Sequence, residues 1–398
     1  MLQSIALILI CGLVFSGITQ KLKLPGLVGM IAAGIILGPH LLNLISPLIL
    51  DISTDLREIA LIVILARAGL ALDINSLKKV GRPAILMCFI PATFEIAAVI
   101  IFAPVFLRIS ILEAAVMGTV LAAVSPAVIV PRMLKLSESV YGKRGIPQLL
   151  MLGASVDDIY VIVLFASFLG MHNGKGFDVL SLIKVPVSII TGLILGIAVG
   201  IMLVWLFKKI HMRDTIKIIV FFGAAFLFVS LEDILQNYIP LSGLLAIMSL
   251  GAVMLKKYEV LAKRLTVKFS KIWVGAELLL FVLVGAAVDI SYTGNIGFGA
   301  VITILYALVI RMSGVFVCLL KTKFSIKEKL FCAVSYLPKA TVQAAIGGIP
   351  LSIGMESGNI ILAVAVLSIL ITAPLGAVII DKTHKYLLEK DIYTHING

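Results

Sequence analysis

The chain has 398 residues, 61% of them hydrophobic and 14% charged, with a mean hydropathy of +1.16. Those values exclude a soluble globular domain and describe a polytopic membrane protein in contact with lipid. The formal charge of +12 would suggest nucleic acid in a soluble protein, but here the basic residues gather in alternate short loops. They report topology, and no nucleic-acid partner is implied.

The first apolar segment, Leu2 to Thr19, has neither a basic n-region nor a small-residue cleavage site, so it reads as a retained span. Hydropathy predicts an all-α chain of about 13 transmembrane helices, each near the length a bilayer requires. Their centres fall near residues 10, 32, 63, 95, 123, 158, 195, 225, 247, 280, 308, 340 and 368. The loops after odd-numbered spans carry nearly all the loop lysines and arginines. The other loops hold only Arg57, Arg108, Lys175 and Lys184. The positive-inside rule then places the N-terminus outside and the C-terminus in the cytoplasm. The cysteines Cys11, Cys88, Cys318 and Cys332 lie in apolar segments without metal-type spacing and read as packing residues. The histidines fall in loops or at the tail.

An internal repeat recurs at an offset close to 216 residues. LPGLVGMIAAGIIL (Leu24–Leu37) matches LSGLLAIMSLGAVML (Leu241–Leu255), and ARAGLALDI matches VLVGAAVDI, pairing Asp73 with Asp289. Glu95 falls opposite Arg311, LAAVSPAVIVP opposite LPKATVQAAIG, and Asp157 and Asp158 opposite Ala373 and Pro374. An offset of an odd number of spans inverts the second copy. Spans 1–6 and 8–13 therefore form two inverted six-helix repeats, with span 7 as a linker, an organisation of secondary transporters.

Chemistry concentrates in five spans. Span 5 holds Ser125, Pro126 and Pro131; span 12 holds Pro338, Gly347, Gly348 and Pro350 around Lys339 and Thr341. Proline removes a backbone donor, so both helices should break, at matching repeat positions. Two crossing broken helices offer free carbonyls and half-helix ends for a midplane binding site. Span 6, GIPQLLMLGASVDDIYVIVLFASFLGM, carries Asp157 and Asp158 as its only charges. Each costs at least about 2.5–3.5 kcal/mol at mid-bilayer, so a tandem pair marks an ion pathway. Glu95 and Arg311 occupy equivalent places and should pair as a structural charge couple, since a lone buried charge is strongly unfavourable. Lys339 can exchange a partner or a proton. Arg67 lies near a span end and can snorkel, and Glu277 has no assigned role.

A carboxylate that serves a small cation and a proton in turn must hold both with similar strength. Burial and a like charge favour the proton, and a nearby cation favours the ionised form. Cation and proton then compete for the same oxygens, which is antiport by mutual exclusion. Sodium and lithium are hard ions, and Ser125, Ser155 and Thr341 could add oxygens to Asp157 and Asp158. No cofactor is needed, and the spans lack a His, Cys or Ser constellation for a redox or hydrolytic enzyme. A channel fits poorly with inverted repeats and broken helices. An organic-anion symporter would need a cationic site, not adjacent aspartates.

The segments ARAGLALD, VSPAVIVP, GIPQLLMLGASVDD and LPKATVQAAIG together resemble the NHA subfamily of monovalent cation:proton antiporters, from about Leu24 to the end of span 13. The resemblance implies a homodimer in the cell membrane, with dimer-domain helices at 1–90 and 213–292, core helices at 91–172 and 296–381, a linker helix at 185–212 and a tail at 382–398. It implies elevator-like transport of Na⁺ or Li⁺ against protons, with K⁺ as the alternative ion. It also makes Asp158 the main cation ligand and Asp157 its salt-bridged, proton-coupled partner. Bacterial relatives carry lysine where this chain has Arg311, so the lysine's part in a proton cycle does not carry over directly; Lys339 can substitute, and either Arg311 or Lys339 can pair with Asp157.

Overall fold

A computed structural model describes residues 1–71, 81–137, 139, 141, 145–172, 179–235 and 239–389. Asp73, Lys175 and the tail from residue 390 lie outside the described residues, as does the side chain of Ser155. The described residues are all-helical, as hydropathy predicts. Only a helix or a closed barrel satisfies every backbone group in lipid.

The first repeat contains α1 (Leu2–Lys21), α2 (Gly26–Leu37), α3 (Pro47–Asp51), α4 (Ser53–Ala71), α5 (Arg82–Met87), α6 (Ile90–Leu107), α7 (Ile111–Ala122), α8 (Pro126–Ser137) and α9 (Ile146–His172). Then come α10 (Val179–Lys209), α11 (Asp214–Leu235), α12 (Gly243–Lys257), α13 (Glu259–Ala286) and α14 (Ile290–Cys318). The chain closes with α15 (Ile326–Ser335), α16 (Thr341–Ile346), α17 (Ile349–Ser352) and α18 (Gly358–Leu387). Eight stretches among the described residues are long and apolar enough to cross a bilayer. Several of the other expected spans are short or interrupted, such as α2 and the α7–α8 and α15–α16 pairs, so length alone does not identify them.

Two compact units divide the chain. The first joins Met1–Thr54, Ser76–Ile162 and Leu278–Gly398; the second joins Asp55–Asn75 and Val163–Glu277. In the first unit α6 lies along α14, and α18 packs on α14 and α15. Small residues permit close approach: a Cβ on Gly34 of α2 would fall on the carbonyl of Val282 in α13. In the second unit α12 packs on both α10 and α11. There Arg67 stands over the Trp273 ring at 5.7 Å, a contact that free snorkelling did not anticipate.

The two broken helices start alike. Ser110 accepts from Glu113 N while Ser110 N donates to Glu113 Oε2, and Ser325 and Glu328 repeat this capping box at the start of α15. The first break occupies Ala123–Ser125, ahead of Pro126, which opens α8 as a proline at a first helical position can. Pro131 does not interrupt the helix as expected; the α8 backbone runs through it. The second break spans Tyr336–Ala340, with Pro338 at its centre.

Candidate functional site

The site lies within the first unit, where the two breaks meet. Ser125 N donates to the Pro338 carbonyl across 2.8 Å. The Gln343 amide ties the same strands together, donating from Nε2 to the carbonyls of Leu121 (3.2 Å) and Ala123 (2.6 Å). Its Oε1 accepts from Ala340 N at 2.9 Å. One side chain thus satisfies the carboxyl end of α7 and the amino end of α16, groups a helix leaves without intrahelical partners.

The charges converge on these breaks. Arg311 enters from α14 and is fully buried. Its Nε donates to Tyr336 O (3.0 Å), its Nη1 to Glu95 Oε2 (2.6 Å) and to Ala122 O, and its Nη2 to Asp157 Oδ2 (3.0 Å). The guanidinium also lies 5.2 Å from the Tyr336 ring centroid. Its planar fork reaches α6, α9, the end of α7 and the second break together, a geometry a lysine cannot copy. Asp157 Oδ2 takes a second bond from Val124 N at 2.9 Å.

Of the two bases that could pair with Asp157, Arg311 does so and Lys339 does not. Lys339 Nζ donates to Glu95 Oε2 at 2.5 Å, and Arg311 takes Asp157. Glu95 therefore receives both bases. The physical reason is position: Lys339 lies in the second break and faces α6, while the guanidinium spans from α6 to α9. Lys339 N is itself held by Thr372 Oγ1 at 2.9 Å.

That last bond corrects the repeat alignment. Val124 N bonds Asp157, and Lys339 N bonds Thr372. The step from Val124 to Lys339 equals that from Asp157 to Thr372 and that from Ser110 to Ser325, one residue short of the offset read from sequence. Thr372, not Ala373, is the counterpart of Asp157. A neutral hydroxyl in one repeat occupies the place of a carboxylate in the other.

Asp158 is 7% exposed and makes no ion pair among the described residues. Its Oδ1 accepts no hydrogen bond there, nor do Asp157 Oδ1, Ser125 Oγ and Thr341 Oγ1. The expected hydroxyls of Ser125 and Thr341 thus lie beside the breaks with unpartnered oxygens. Gln343, Thr372 and Tyr336 were not singled out from sequence. For Gln343 a signal existed, since an amide three residues after a helix-start position is a capping pattern. Thr372 stands one residue from the alignment used, and Tyr336 contributes a carbonyl that no sequence pattern reports.

Comparison with known proteins accords with this geometry. The family described as "Sodium/hydrogen exchanger, transmembrane" matches residues 5–383. Sodium/hydrogen exchanger 9B2 of Mus musculus is 33% identical over 92% of this chain and 69% of its own length. Sodium/hydrogen exchanger 9B1 of Homo sapiens is 33% identical over 82% of this chain and 65% of its own. The sodium proton antiporter MjNhaP1 from Methanocaldococcus jannaschii shares the fold, with a TM-score of 0.86 at 20% identity over 97% of this chain and 98% of that one. With a family match across nearly its whole length and relatives of this similarity, the chain belongs to the sodium/hydrogen exchanger family of monovalent cation:proton antiporters, and it is a multi-pass membrane protein.

Proposed function

We propose that this exchanger carries Na⁺ or Li⁺ against protons by alternating access, with Asp158 as the carboxylate that cation and proton occupy in turn. The observation that supports this reading is the division of labour between adjacent aspartates. Asp157 Oδ2 is committed to Arg311 and Val124 N, and Arg311 keeps its charge throughout. Asp158 carries no such commitment. A carboxylate fixed by an arginine shapes the site; a free one beside it can trade a proton for a hard cation. The oxygens of Ser125, Thr341 and Asp157 Oδ1 complete a donor set of the kind such ions prefer. Ser155 is a further candidate ligand.

In this reading the cation passes through unchanged, no covalent chemistry or cofactor is involved, and the partners are the ions and the lipid bilayer. The protein acts as a homodimer in the cell membrane, N-terminus outside and C-terminus cytoplasmic. Its core helices at 91–172 and 296–381 move against dimer-domain helices at 1–90 and 213–292, with 185–212 as linker and 382–398 as tail.

The test is reconstitution into proteoliposomes with a trapped pH dye, adding Na⁺, Li⁺, K⁺ or taurocholate. Na⁺ and Li⁺ should collapse the proton gradient in wild type. A response to K⁺ alone would make it a K⁺/H⁺ antiporter, and sodium-dependent taurocholate uptake would make it an organic-anion symporter. Asp158→Asn keeps shape and hydrogen bonding but cannot exchange a proton, so it should abolish transport while the protein stays folded. Wild-type exchange by Asp158→Asn sinks the mechanism.

A further inference from the structure

Unwound carbonyls at a helix break are natural cation ligands. In this chain the last carbonyls of α7 are already taken: Leu121 and Ala123 by the Gln343 amide, Ala122 by Arg311. In the second break Pro338 O is taken by Ser125 N and Tyr336 O by Arg311. Gln343 is 1% exposed and all its recorded bonds go to backbone, so it serves no solvent-facing purpose. The other repeat has no equivalent amide. At the step that relates Val124 to Lys339, the counterpart of Gln343 is Val128, which is apolar. There the amino end of α8 is served by Asp157 and by the Pro338 carbonyl instead.

We propose that Gln343 is a positioning residue that sets the ion selectivity of the exchanger, by holding the α7 carbonyls away from the cation and fixing the two breaks at one separation. With those carbonyls withdrawn, the ion meets mainly carboxylate and hydroxyl oxygens, a small, strongly negative donor set suited to a small hard cation. Freed carbonyls would add neutral donors and widen the site, which favours larger ions. Selectivity between alkali cations is a matter of cavity size and ligand number, and Gln343 controls both through the same amide. The inference rests on the exchange reading given above.

Two substitutions separate positioning from packing. Gln343→Met fills the volume and removes every hydrogen bond. Gln343→Glu keeps an acceptor for Ala340 N and, while protonated, one donor for the α7 carbonyls; once ionised it faces those carbonyls with like polarity. The charged groups at these breaks are Arg311, Lys339, Glu95, Asp157 and Asp158, and both variants leave them in place. KM and kcat for Na⁺, Li⁺ and K⁺ are measured in proteoliposomes by solid-supported-membrane currents or dye dequenching, across pH. Gln343→Met should change the KM ratio of K⁺ to Li⁺ by about tenfold in favour of K⁺, an amount expected for about 1.4 kcal/mol of differential binding. Gln343→Glu should keep the wild-type ratio at the acidic end of the profile and lose it as pH rises. Should Gln343→Met fail to fold, the pH-dependent ratio in Gln343→Glu decides alone. Unchanged ratios in Gln343→Glu at every pH, whatever happens to kcat, overturn the proposal. Failure of wild type to exchange any alkali cation instead removes the exchange reading beneath it, and full activity in Asp158→Asn removes the role given there to Asp158.

Discussion

Glu95 lies under two bases, and that arrangement makes a charge swap informative. An isolated Glu95–Arg311 pair would tolerate exchange of its two ends, and the double variant would regain part of what each single variant loses. The observed cluster forbids this. Glu95 Oε2 accepts from Arg311 Nη1 (2.6 Å) and Lys339 Nζ (2.5 Å), and Arg311 Nη2 continues to Asp157 (3.0 Å), with all four side chains at most 2% exposed. Removing one partner of a buried pair costs about 3–5 kcal/mol, mostly by stranding the other charge. Glu95→Ala strands Lys339 and half of the guanidinium. Arg311→Ala strands Asp157 and also leaves Tyr336 O and Ala122 O without a donor. Each single variant should therefore lose at least about 3 kcal/mol, and at about 2 °C per kcal/mol that is a drop of at least about 6 °C in Tm. Arg311→Ala should be the worse. The swap, Glu95→Arg with Arg311→Glu, puts a guanidinium beside Lys339 and a carboxylate beside Asp157, two like-charge contacts in place of two pairs. It should fall below both single variants. Thermal melts of purified protein in one detergent, followed by intrinsic fluorescence and by size-exclusion recovery, give the ranking. A swap more stable than either single variant refutes the cluster as the working unit.

Lys339→Gln leaves both the Glu95–Arg311 and the Arg311–Asp157 pairs in place, so its loss should be nearer the about 1–3 kcal/mol of a charged hydrogen bond. In the same thermal melts its Tm should fall less than that of Arg311→Ala; an equal or larger fall would mean that Lys339 holds more of the cluster than Glu95 alone. Gly34→Ala should lower Tm, because the new Cβ meets the Val282 carbonyl and overpacking costs about 1–3 kcal/mol, whereas Gly17→Ala, with open space around it, should not. Equal melts for the two glycine variants would show that α2 does not depend on that close approach.

Composition alone set the class of the molecule. A chain this apolar must close its hydrogen bonds within helices, and charged groups survive at depth only in company. That reasoning located Asp157, Asp158, Glu95, Arg311 and Lys339, and the repeat singled out Glu95 and Arg311 as partners. The structure adds capping boxes at Ser110 and Ser325, which start both broken helices. What tertiary structure decided was who meets whom. Lys339 lies in the second break and Arg311 inside α14, and one-dimensional spacing cannot say which reaches Asp157; the packing of α14 along α6 brings Arg311 to it. Proline spacing suggested a break at Pro131, yet the α8 backbone continues through it. Gln343 and Thr372 carry no charge and sit in apolar runs, so hydropathy gives them no weight. Their roles arise only because two half-helices, distant in sequence, present unpaired carbonyls and amides at one place.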